Sequence, residues 1–182
     1  MASSLEKMRC LAENVVTMYV SRLETLSQTM GDTYDLLDRG RVEREQMGDM
    51  LRDLLAGGTS LRRKDFDQMM RDVFERQNER ERAVRVYMKG FLKEQADLAE
   101  KLRGALQGGD LEQVKPIQSS IEKGMAEAKQ MLLDFHHEEQ TLMRRLKVLL
   151  DKGDGLTVAE FKTAVTQMRS DLSVWTEQAC AS

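Results

Sequence analysis

LLAGGTSLRRKDFDQMMRDV, residues 54–73, is answered at residues 149–168 by LLDKGDGLTVAEFKTAVTQM. Leu54, Leu55, Gly58, Leu61, Asp65, Phe66, Met70 and Val73 reappear as Leu149, Leu150, Gly153, Leu156, Glu160, Phe161, Val165 and Met168, all at one offset (149 − 54 = 95). Each copy holds two leucines closing one helix, a glycine-bearing turn, and a leucine before a second helix with an acid-Phe pair in its first turns. That is an αα-hairpin corner written twice. It predicts an all-α fold of two tandem long hairpins, an elongated, coiled-coil-like antiparallel helical bundle. The 182 residues then form a single domain with tandem units 5–107 and 110–182.

The flanking sequence agrees. From Leu5, apolar residues step by three and four through Met8, Ala12, Val15, Tyr19, Leu23, Leu26, Met30, Tyr34 and Leu37, one helical stripe. Gly31, Gly40 and Gly48 interrupt its continuation. Each interior glycine costs a helix about 1 kcal/mol relative to Ala, which leaves two readings open: a bend or break near Gly31 to Gly40, or one long helix held by packing.

A second helix is expected to start near Thr59 or Ser60, whose hydroxyls can accept an orphan amide. Its stripe runs Phe66, Met70, Val73, then Gln77 and Arg80 or Glu81, then Val84, Met88, Phe91, Gln95, Leu98, Leu102 and Ala105. Glu75 to Arg82 holds no apolar residue. Such a stretch is either exposed or paired with other polar groups across a seam, and charged runs usually read as solvated surface.

Asp110 and Gln113 resemble a capping box, but Pro116 places the main start of the third helix near Lys115. The stripe beyond is regular: Ile117, Ile121, Met125, Ala128, Leu132, Phe135, Glu139, Leu142, Leu146 and Leu149. Thr157 and Glu160 form a Thr-x-x-Glu capping box with Leu156 and Phe161 at the staple positions, so a fourth helix runs from Val158 toward Gln178. Helices over 60–107 and 115–150 would be about 70 Å and 50 Å long. The much shorter last helix leaves part of the bundle with fewer covering layers, where a partner or second copy can pack.

Composition narrows the function. Charged residues make up 32% and aromatics 5%, with one Pro, which favours long helices over sheet. A formal charge of −3 gives no field to gather nucleic acid or anionic lipid. Arg62, Arg63 and Lys64 are the best basic cluster, but Asp65 and Asp67 follow at once and stacking aromatics are missing, so nucleic acid is not an expected partner. No secretory signal or membrane-length apolar run appears, and Cys10 and Cys180 stand apart near the two ends. A cytoplasmic location with reduced thiols and no membrane insertion is therefore expected.

Catalytic and metal motifs fail on spacing. Taken as a calcium loop, Asp151 to Phe161 puts Gly155 fifth and Glu160 tenth, where positions six and twelve are required. Gly57-Gly58 and Gly108-Gly109 read as helix stops. Asp134 and His137, one turn apart, can ligate one metal, but a di-iron bundle needs a second such pair that only a dimer would provide. No cofactor is expected.

The reading is a non-enzymatic helical protein-protein interaction protein, a scaffold, adaptor or assembly factor, that self-associates as a homo-oligomer or binds another protein. Arg76, Arg80 and Arg82 with Met69, Met70 and Trp175 are its candidate interface; thirteen methionines suit an adaptable apolar groove. The alternatives are a metal-dependent bundle enzyme with its site shared across a dimer, and a chaperone-like holder of an apolar helix.

Overall fold

A computed structural model describes residues 4–180, with side-chain placement for all of these except 4, 5, 8, 9, 12, 111 and 173–180. Among the described residues the chain is all-α, without strands. It comprises α1 Ser4–Gly58, α2 Arg63–Gly108, α3 Leu111–Asp151, a 3-10 turn Gly153–Gly155, and α4 Val158–Cys180. No helix of the described residues is long and apolar enough to cross a membrane.

Two helix starts differ from the sequence expectation, and α1 decides a point the sequence left open. α1 runs unbroken through Gly31, Gly40 and Gly48. Gly48 is used for close approach: a Cβ there would meet Cζ of Phe74 at 2.8 Å. Thr59 closes α1 instead of opening α2; its hydroxyl donates to the Leu55 carbonyl at 2.7 Å and accepts from the Leu61 amide at 3.2 Å. α3 begins at Leu111 and passes through Pro116. Pro116 is the sixth residue of α3, so its missing amide costs the one ladder bond that would reach the Glu112 carbonyl.

Elsewhere the termini follow the expected chemistry. Gly109 takes φ +73°, and the Asp110 amide reaches back to the Ala105 carbonyl at 3.0 Å, the bond that closes a Schellman motif. Thr157 and Glu160 cap α4 reciprocally. The Thr157 amide donates to Glu160 Oε2 at 3.0 Å, and the Glu160 amide donates to Thr157 Oγ1 at 3.3 Å.

Contacts group the chain crosswise into two compact units, residues 1–35 with 84–132 and residues 36–83 with 133–182. The second unit is built from four helical segments. Its α1 and α2 portions run antiparallel, since Arg52 meets Asp67, Gly48 meets Phe74 and Arg44 meets Asn78. Its α3 and α4 portions do likewise, since Lys152, just past α3, meets Glu160 and Arg145 meets Asp171. Leu51, Leu55, Phe66, Met70, Val73, Leu142, Leu146, Phe161, Val165 and Met168 are among the residues of its buried core.

Both corners enter their second helix the same way: the amide of Phe66 bonds the Arg62 carbonyl at 3.1 Å, and that of Phe161 bonds the Thr157 carbonyl at 3.0 Å. Phe66 and Phe161 are both buried, as the repeat requires.

The first unit has three helical segments, from α1, α2 and α3. Tyr19, Leu102 and Ile121 form a buried cluster there, bordered by the partly exposed Val15, Leu98, Leu106, Val114, Ile117 and Met125. Tyr34 ties α1 to α2 by donating its hydroxyl to the Arg85 carbonyl at 3.3 Å, under the Arg85 guanidinium.

Candidate functional site: a buried polar layer

The stretch Glu75 to Arg82 divides by face. Its inner residues enter the four-segment unit: Gln77 and Glu81 are buried, and Asn78 and Arg80 are half-buried. Glu75, Arg76, Glu79 and Arg82 stay exposed. The solvated reading therefore holds for the outer face alone. The other face forms the polar seam.

Arg44 on α1 is the centre of that layer. It is 1% exposed, the largest fully buried side chain of the unit, and carries a fixed positive charge. Burying such a charge is tolerable only when its donors are met. Here one terminal nitrogen donates to Glu139 of α3, and the other donates to Asn78 Oδ1 at 2.7 Å and lies 3.6 Å from Glu81 of α2. Gln77 Nε2 donates to the second Glu139 oxygen. Beside this cluster the Arg80 guanidinium grips Glu138 in a two-point contact, Nε to Oε2 at 3.0 Å and a terminal nitrogen to Oε1 at 3.3 Å.

The layer thus joins α1, α2 and α3 by directional bonds within one unit. Apolar contacts tolerate sliding, whereas each of these bonds is made at only one axial position of its helices. Of its members, Gln77, Arg80, Glu81 and Glu139 occupy stripe positions legible in the sequence. Arg44 was missed. Its signal was spacing, because Arg44, Gly48, Leu51 and Leu55 step by four, three and four along the inner face of α1.

The candidate interface residues separate accordingly. Arg76 and Arg82 are exposed, Met69 is half-buried, Arg80 is engaged with Glu138, and Met70 lies wholly inside the core. The expectation that Met70 and Arg80 face a partner is corrected by this placement, since both are turned into their own unit. Trp175 lies outside the residues whose side chains are described.

Asp134, His136 and His137 are exposed beside the buried Phe135, and the His136 ring pairs with the Gln140 amide at 2.9 Å. Among the described residues no group of three His, Cys, Asp or Glu side chains could hold a metal ion.

Two surface hollows carry charged residues in their walls. One, of about 440 Å³, is bounded by Asp65, Asp72 and Arg169, whose guanidinium donates to the Met69 carbonyl at 2.7 Å. The other, about 520 Å³ in the three-segment unit, is bounded by Tyr87, Glu94, Lys123 and Glu127. Burial, reinforced by Glu127 and Glu94, raises the Tyr87 phenol above its ordinary value. Beneath this hollow Gln95 is buried with neither amide atom bonded within the chain, and Gly124 leaves it room: a Cβ there would meet Nε2 at 2.6 Å.

No protein-family model, curated protein or solved structure matches the chain.

Proposed function

We propose that this chain is a non-enzymatic interaction protein, a scaffold, adaptor or assembly factor, that self-associates through its long helices. The observation that carries the reading is the apolar cluster around Tyr19, Leu102 and Ile121, enclosed by three helical segments and bordered by six partly exposed apolar residues. A fourth helical layer supplied by a second copy would complete it, as four segments complete the core of the other unit. The charged residues brought inside are engaged with one another, which supports a role in holding helices together.

Sedimentation of the full chain at micromolar concentration tests this. The expected result is a dimer or larger species that Leu98→Lys with Ile117→Lys returns to monomer while helical content is retained. Charge reversal at exposed Arg76 and Arg82 asks whether the outer face of the polar stretch adds to the contact. A monomer at every concentration overturns the reading.

A further inference from the structure

The offset of 95 that relates the two corners also relates residues in contact. Phe66 stacks on Phe161 with ring centroids 5.2 Å apart, and Arg44 pairs with Glu139. Equivalent residues touch one another where two repeats are related by a local two-fold axis. The four-segment unit is therefore a pair of quasi-identical hairpins, residues 36–83 and 133–180, facing each other as two copies of one subunit would.

Such a seam has a specificity problem. Leu51 and Leu146, Met70 and Val165, and Val73 and Met168 are equivalent pairs, all apolar and all buried. Shape and hydrophobicity alone would let a repeat pair with the same repeat of a second chain. At 44 and 139 the sequence instead places opposite charges. Two second repeats would set Glu139 against Glu139, with Leu172 where the first repeat offers the Gln77 amide. Two carboxylates would then share a desolvated layer without a cation.

We propose that the Arg44–Glu139 pair is a pairing discriminator, committing the second repeat to a first repeat and rejecting the second repeat of another copy. The inference is independent of association through the three-segment unit, because it concerns which repeats meet inside the four-segment unit.

The test replaces the layer in the full chain with apolar residues, as Arg44→Leu, Gln77→Leu, Glu81→Leu and Glu139→Leu together. Mass is measured by sedimentation beside the original chain at equal concentration, and thermal midpoint by circular dichroism. The expected result is a discrete species about twice the mass of the original, with a midpoint equal or higher, since apolar replacement of buried ion pairs is often neutral or stabilising. An unchanged mass overturns the proposal, whichever way the midpoint moves. Should this variant precipitate, Glu139→Gln decides, because it leaves Arg44 with Glu81. A heavier discrete fraction that grows with concentration supports the discriminator, and the original mass throughout refutes it.

Discussion

Phe66 and Phe161, each in the first turns of its own helix, stack with ring planes 17° from parallel. Both are buried in the four-segment core, so each ring is part of the other's packing surface. Phe66→Ala and Phe161→Ala should each destabilise by about 3–5 kcal/mol, the range for a buried aromatic truncated to Ala. The double variant should lose less than the sum, because the second truncation enters a cavity already opened. Denaturant melts of the four proteins check both statements, and strict additivity would show that the rings do not support each other.

Arg44→Met should destabilise strongly, by about 3–5 kcal/mol, since it removes the cation that Glu81 and Glu139 share inside the unit. Arg44→Lys should recover only part of the loss, because an ammonium cannot reach Asn78, Glu81 and Glu139 with the fixed fork of a guanidinium. Equal melts for the lysine variant and the original chain would show that charge suffices without geometry.

Thr157→Ala should weaken the start of α4 by about 1 kcal/mol through loss of the cap. Glu160→Ala should also destabilise, by a smaller amount. Hydrogen exchange at the amides of 158–161 locates the effect, which must concentrate in that first turn.

Glu160 also makes the same cap sensitive to acid. The Lys152 ammonium, the Thr157 amide and the Thr157 hydroxyl together hold its carboxyl at about 2, below its ordinary 4.5. A carboxyl with a lowered native value stabilises the fold fully above its unfolded value and loses that contribution as pH falls through the native one. The stability difference between the original chain and Glu160→Gln should therefore be constant above pH 5 and shrink between about pH 4.5 and 2. A difference that persists undiminished at pH 2 would contradict it.

Glycine substitutions in α1 should act in opposite directions. Gly31 is exposed with open space where a Cβ would sit, so Gly31→Ala should stabilise by up to about 1 kcal/mol. Gly48→Ala gains the same helix propensity but drives a methyl into the Phe74 ring, and should destabilise. Thermal melts of the pair check the contrast.

Local and periodic features were legible in the chain alone. The all-α class followed from stripes at three-and-four spacing. The burial of Phe66 and Phe161 followed from the repeat, and the cap at Thr157 and Glu160 from a four-residue motif, because each depends on residues within a few helical turns. Helix ends were less legible at Thr59 and Pro116, where one hydroxyl or one forfeited amide shifts a boundary.

Only the tertiary structure decided the fate of the polar stretch. Whether Gln77, Arg80 and Glu81 meet water or protein depends on what faces them, and their partners, Arg44, Glu138 and Glu139, lie on other helices more than 30 residues away in sequence. The same holds for Gly48 of α1, which the Phe74 ring of another helix approaches closely, and for Met70, an interface candidate by composition that the fold places inside its own core. Periodicity determined which face of each helix turns inward; the charges and rings arriving from distant segments decided what that face meets.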